Sequence, residues 1–278
     1  MGIDLNAIKS FKLLKESEIP LGDMVTLGRQ KIYAKPHKIK KILKNISPEE
    51  LLELEKIQPG EYAEDLLSKV FRASRVDSLD YSDYEGANIV SDMNCPLGEN
   101  LKNRYDLVFD GGTLEHVFNF PVAIKNAMEM LKVGGHFLSI TCGNNLSGHG
   151  FYQFSPELFF RIFSEENGFK VVDIFLAERD VFRNKTTWYK VKDPEQLRAR
   201  TTLRNSKQTE IIVLARKIKE KEIFTNNPYQ SDYLTLWNEQ KNVGYSSKFS
   251  AKIWRKVKAL AKNKSLYYNP DFFIKVEE

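Results

Sequence analysis

The stretch from Tyr105 to Thr141 reads YDLVFDGGTLEHVFNFPVAIKNAMEMLKVGGHFLSIT. Tyr105 to Phe109 is a short run of β-favouring apolar residues, and Asp110-Gly111-Gly112 stops it. Pro121 then opens a helix, AIKNAMEML, that stops at Gly134-Gly135. His136 to Cys142 alternates apolar and polar residues, which predicts another strand. A strand, a turn rich in glycine, a helix and a second strand make one unit of a parallel α/β sheet.

The same grammar extends in both directions. Met24 to Gly28 follows the turn signal Pro20-Leu21-Gly22-Asp23 and reads as a first strand. Ser47-Pro48-Glu49-Glu50 starts a helix with a capping box. A further helix carries Ala63, Leu66, Leu67, Val70 and Phe71 at helical spacing. Arg75 to Leu79 and Ala87 to Ser91 read as strands two and three. Ser155-Pro156-Glu157 caps another helix, which Asn167-Gly168 ends. Lys170 to Leu176 and Glu210 to Ala215 are the last expected strands. Between them Glu178 to Thr209 is polar and basic, and it reads as a long loop or small insertion.

Alternating strands and helices imply a mostly parallel sheet covered on both faces. Ligands of such sheets bind beyond the carboxyl ends of the strands. The residues found there are Gly28, Asp80, Asp92, Asp110 with Gly111-Gly112, and Cys142-Gly143. Three acids and three glycine sites therefore gather at one edge.

Composition sets outer bounds. The chain has 278 residues, 42% hydrophobic and 28% charged, with a formal net charge of +5. These values are those of an ordinary globular protein. No apolar run approaches the roughly 20 residues of a membrane span, and the N-terminal stretch lacks a secretory pattern. Asn6 stands where N-myristoylation wants Ser or Thr. The two cysteines, Cys95 and Cys142, cannot build a disulfide framework, so the cytoplasm is the expected compartment. The expected organisation is an amphipathic helix over 1–22, a central domain over 23–216, and a basic, aromatic extension over 217–278. Within that extension 248–264 carries Arg255 and several lysines but no acid, around an apolar stripe of Phe249, Ile253, Val257 and Leu260. Such a helix suits packing on the domain, or contact with an anionic membrane surface. Nucleic acid is not expected as a partner, because no RNA-binding motif accompanies the charge.

YDLVFDGGTLEHVFN followed by AIKNAMEMLKVGGHFLSIT resembles class I S-adenosylmethionine-dependent methyltransferases, over roughly residues 24–215. VDSLDYSDYEGANIVSDMN is similar to that family's second and third strands. The loop Thr26-Leu27-Gly28-Arg29-Gln30 resembles methyltransferase-like proteins of surface-polysaccharide gene clusters. The resemblance implies a Rossmann-like, mostly parallel seven-stranded sheet and S-adenosyl-L-methionine as cofactor. It implies cofactor contacts from Gly28, Arg29, Asp80, Tyr81, Asp92, Met93, Asp110 and Gly111. Asp80 would accept the ribose hydroxyls and Asp92 the adenine amino group, with Met93 as apolar cover. One departure is clear: the family's G-x-G-x-G loop is reduced here to the single Gly28.

Methyl transfer to a hydroxyl needs alignment and a base. His116 and His149 are the candidate bases, and His136 reads as structural. Glu115, Asn144, Tyr152 and Gln153 are candidates for holding an acceptor, in and around a loop rich in glycine, amide and aromatic residues. No spacing of ligand-type residues calls for a metal, although His116, His149 and Glu115 can converge in space. The favoured function is O-methylation of a sugar, nucleotide-sugar or surface-glycan group, phosphate-type substituents included, in the cytoplasm or at the inner membrane surface. An RNA or protein methyltransferase, and a non-catalytic binding protein of the same fold, are the alternatives.

Overall fold

The computed structural model describes residues 2–180, 185–198, 200–242 and 269–276. Its centre is one nine-stranded sheet in the order β3-β2-β1-β4-β5-β8-β6-β7-β9. The strands are β1 (Asp23–Leu27), β2 (Arg75–Asp80), β3 (Ile89–Val90), β4 (Tyr105–Asp110), β5 (Leu131–Asn144), β6 (Phe169–Asp180), β7 (Lys185–Val191), β8 (Thr209–Lys217) and β9 (Phe273–Lys275). β1 to β5 pair with one another only in parallel. β8 runs against both β5 and β6, so β6 points the same way as β5. The order β3-β2-β1-β4-β5 is that of a Rossmann-like sheet, and it reverses direction between β1 and β4.

Period-two alternation explains why both faces are apolar. On β8, Ile211, Val213 and Ala215 enter one core, while Ile212 and Leu214 enter the other. Helices α4 (Phe120–Glu129) and α5 (Pro156–Ile162) cover the first face with Ala123, Ile124, Phe159 and Ile162. Helices α1 (Leu5–Glu16), α2 (Pro36–Leu43) and α3 (Pro48–Lys56), with a π-helical turn at Leu66–Val70, cover the second. The capping box expected on α3 is formed by Ser47 and Glu50. Glu50 is buried and pairs with Lys15 at 2.9 Å and Arg72 at 2.8 Å, which ties α3 to α1.

The expected seven strands become nine. β7 lies inside the stretch read as a loop, and β9 comes from the C-terminal region. The sequence of β7, Lys185 to Val191, looks polar because much of this strand near the sheet edge meets solvent. Its Trp188 is buried, packs 5.3 Å from Phe175, and donates its indole N–H to Asn6 Oδ1 at 3.0 Å. α4 also ends at Glu129, short of the glycines, and β5 begins at Leu131. Gly135 sits inside that strand, where a Cβ would come within 3.0 Å of the Lys132 and Tyr105 carbonyl oxygens. The basic segment 248–264 lies outside the described residues. Among the described residues no helix is long and apolar enough to cross a membrane.

One half-buried acid beside this core sets a pH dependence. Asn6 Nδ2 donates to Glu210 Oε2 at 2.6 Å where α1 crosses β8. Burial, and then the Asp4 carboxylate, push Glu210 up to about 7, against the partial relief of Arg179. The folded state therefore binds the proton more tightly than the unfolded chain, and stability is lost as pH rises from about 4 to about 7. Glu210→Gln keeps a hydrogen-bond acceptor and removes this penalty. It is expected to stabilise the protein by about 1–3 kcal/mol at pH 8 and by almost nothing at pH 4, read by urea unfolding at both values. A gain that is equal at both pH values would refute the assignment.

Candidate active site

The carboxyl ends of β1, β2 and β4 meet at the reversal of strand order. Gly28 follows β1 with φ +71°, a left-handed conformation that suits glycine. Its N–H donates to the Leu79 carbonyl at 2.7 Å. A Cβ on Gly28 would lie 2.9 Å from Thr113 Oγ1. Thr113 itself donates to the Leu27 carbonyl at 2.7 Å. Gln30 folds back and donates from Nε2 to the Leu27 carbonyl at 2.6 Å and to the Gly28 carbonyl at 3.2 Å. Its Oε1 stands 2.5 Å from where a Cβ on Gly111 would be. The loop after β1 is thus closed by side chains around a single glycine, where the resemblance implied several. Arg29 lies over the Tyr62 ring at 3.8 Å and binds Glu64 and the Glu85 carbonyl, each at 2.7 Å. These groups wall a cleft of about 250 Å³ at the switch point, whose lining includes Gly28, Arg29, Asp80, Gly111, Thr113 and His116.

Four of the expected cofactor residues, Gly28, Arg29, Asp80 and Gly111, therefore line one cleft. Tyr81 is exposed, and its N–H donates to Asp80 Oδ1 at 2.7 Å. Asp80 Oδ2 faces Gly28, 3.9 Å from where its Cβ would stand. The remaining three lie elsewhere. Asp92 Oδ1 accepts from the backbone and side-chain amides of Asn94, a turn closure. Met93 is buried in the core. Asp110 is wholly buried, and it accepts from the Thr113 N–H at 2.8 Å and from Ser139 Oγ at 2.7 Å. Burial pushes its carboxyl upward despite these bonds. The strand-four acid shapes the turn and lines no part of the cleft.

Behind His116 lies a second group of polar residues. Leu114–His116 is a single 3-10 turn. Glu115, in its middle, is fully buried and accepts from Thr141 Oγ1 at 2.8 Å through Oε2 and from Cys142 Sγ at 3.5 Å through Oε1. His149 Nε2 is 3.9 Å from Oε1. Burial, and then repulsion from Asp110, push Glu115 up to about 7. Burial, then the Glu115 carboxylate, push the Cys142 thiol up to about 12. The His116 and His149 rings lie 5.2 Å apart, and burial lowers both, with His149 adding to the effect on His116. Both shifts favour the neutral imidazole, the form a proton acceptor needs. His136 sits apart, near Arg216 at the opposite edge, and burial lowers it to about 4.

The loop after β5 is fastened to the turn after β4. The Glu115 carbonyl accepts from the Phe151 N–H at 2.9 Å and the Tyr152 N–H at 3.2 Å. Between them Gly150 approaches so closely that a Cβ would be 2.8 Å from that carbonyl oxygen. Tyr152 donates its hydroxyl to the Phe118 carbonyl at 2.7 Å. Asn144 Nδ2 donates to Asn205 Oδ1 at 2.8 Å, and Gln153 Oε1 accepts from the Leu146 N–H at 2.7 Å. The polar groups expected to hold an acceptor therefore hold the loop. Phe118 and Phe151 are instead the exposed aromatics here, in edge contact at 6.0 Å. Sequence reasoning missed Gln30, Thr113, Thr141 and the contact of Cys142 with Glu115. Only for the last two was there a signal, since the alternation of β5 carries Thr141 and Cys142 to the strand end.

No family model matches the chain, and no curated protein matches it. Similar solved structures include the N-methyltransferase NodS from Bradyrhizobium japonicum WM9 in complex with S-adenosyl-L-homocysteine, at 11% identity over 77% of this chain and 87% of that one, TM-score 0.41. Another is YcgJ from Bacillus subtilis, at 10% identity over 78% and 100%, TM-score 0.41. TehB from Haemophilus influenzae is similar at 14% identity over 75% and 61%, TM-score 0.38. The chemistry of the cleft therefore rests on this chain's own residues.

Proposed function

We propose that this protein is an S-adenosylmethionine-dependent methyltransferase of a small polar acceptor, with a sugar, nucleotide-sugar or surface-glycan group as the favoured class. The observation that carries the reading is the cleft at the β1/β4 switch point, where Asp80 faces a glycine-lined wall. A ribose diol needs a carboxylate and close backbone approach, and Asp80 with Gly28 and Gly111 offers both. When bound, the cofactor supplies an activated methyl group. In this reading His116, which lines the cleft, takes the acceptor hydroxyl's proton, and His149 beside it is the second candidate. Phe118 and Phe151 offer exposed apolar faces on which a sugar ring can rest.

Isothermal titration with S-adenosylhomocysteine and S-adenosylmethionine tests this reading. Saturable binding of both is expected, and no heat from either at millimolar concentration refutes it. The non-catalytic alternative has one observation in its favour. Gln30 closes the loop after β1 and leaves a cleft at the small end of ligand sites. A null titration with an intact fold would favour it.

A further inference from the structure

We propose that Glu115, Cys142 and His149 form a divalent-metal site of Zn²⁺ type beside the cleft, with a fourth position left for water or an acceptor oxygen. One donor atom from each residue lies within 4.8 Å of the other two. Glu115 Oε1 is the hub, 3.5 Å from Cys142 Sγ and 3.9 Å from His149 Nε2. Tetrahedral zinc bonds place neighbouring donor atoms about 3.3–3.7 Å apart, so small movements close the shell.

The surroundings are those of a prepared site. The three residues come from the turn after β4, the end of β5 and the loop beyond it, and backbone bonds from Phe151 and Tyr152 to the Glu115 carbonyl hold these together. Thr141 Oγ1 occupies Oε2 and leaves Oε1 facing the other two donors, the outer bond that orients a ligating carboxylate. A thiol, an imidazole and a carboxylate favour zinc-like ions over Mg²⁺ or Ca²⁺. Electrostatics points the same way. Asp110 and Glu115 are two fully buried acids, and among the described residues neither has a lysine or arginine in ion-pair contact. A dication supplies the missing countercharge. Binding replaces the S–H bond of Cys142 with a metal–sulfur bond and releases that proton to solvent.

Three protein ligands and one open position make a site able to polarise a bound oxygen. That role rests on the methyltransferase reading, and in it His149 serves as ligand while His116 keeps the proton. The site itself does not depend on that reading.

Co²⁺ titration of the full-length, metal-stripped protein tests the proposal without cofactor. Tetrahedral cobalt absorption with a thiolate charge-transfer band is expected at one ion per chain, reversed by Zn²⁺. Cys142→Ser should remove the charge-transfer band, and Cys95→Ser, at the exposed cysteine, should leave it intact. His149→Ala, at a partly exposed side chain, and Thr141→Val should each weaken Co²⁺ binding about 10- to 100-fold. No tetrahedral spectrum, or a spectrum unchanged in both His149→Ala and Thr141→Val, overturns the site whether or not Cys142→Ser folds. Since S-adenosylhomocysteine binding is measured separately, failure here leaves the cofactor reading standing, and the reverse also holds.

Discussion

Asp80→Ala is expected to weaken S-adenosylhomocysteine binding at least about 100-fold while leaving the fold intact. The carboxylate ends β2 at the cleft, and Oδ2 faces Gly28. Two charge-assisted hydrogen bonds to a ribose diol contribute about 1.5–3 kcal/mol each. Their joint loss corresponds to two or more factors of ten in affinity, at about 1.4 kcal/mol per factor. Among the described residues the one hydrogen bond of the Asp80 side chain is to the N–H of exposed Tyr81 at 2.7 Å. Stability should therefore change by less than about 1 kcal/mol. Asp80→Asn retains one acceptor oxygen and should fall between. Calorimetry on the three proteins decides the matter. A loss below threefold in Asp80→Ala would mean that the ribose, if bound at all, lies elsewhere.

What the sequence revealed and what it hid divide along physical lines. Strands β4 and β8 were legible because strands buried on both faces are written in unbroken apolar residues. The start of α3 was legible because its capping box is a local pattern. β7 was not, because only residues such as Trp188 are buried along it while Lys185 and Thr187 keep it looking like a loop. Asp80, Asp92 and Asp110 were indistinguishable as strand-end acids. Their fates differ through partners distant in sequence, such as Ser139 for Asp110 and Gly28 for Asp80. A turn-forming acid and an acid that lines a cleft share one letter, and only the third dimension separates them. The same holds for Gln30, whose folding back over Gly28 and Gly111 no local rule foretells. Cys142 and His149 are seven positions apart, outside any ligand motif. They meet at Glu115 because β5 ends beside the turn after β4.

Asp77→Ala should cost about 3–5 kcal/mol of stability at neutral pH, the usual result of stripping one partner from a buried ionic cluster. Asp77 lies inside β2, almost fully buried. It accepts from Asn88 Nδ2 at 2.7 Å, from the Tyr105 hydroxyl at 2.8 Å and from Arg75 Nε at 2.9 Å. Arg104 stands 3.7 Å away. Removing the carboxylate orphans the hydroxyl of Tyr105, itself fully buried. It also frees Asn88, whose Oδ1 holds the Ser78 N–H at 2.7 Å and so fastens the segment before β3 to β2. Burial alone would raise the Asp77 carboxyl, but the bonds from Asn88, Tyr105 and Arg75 outweigh it and hold it below its ordinary value. A depressed carboxyl contributes stability that is complete above the unfolded value near 4 and is lost as pH falls through the folded value. The cost of Asp77→Ala should therefore shrink below about pH 4, whereas the Glu210→Gln effect is a gain, opposite in sign, that develops between about pH 4 and about pH 7. Urea unfolding from pH 3 to pH 8 separates the two. A cost that stays constant across that range would mean that packing, and not the charge of Asp77, secures β2 and the cleft residue at its end.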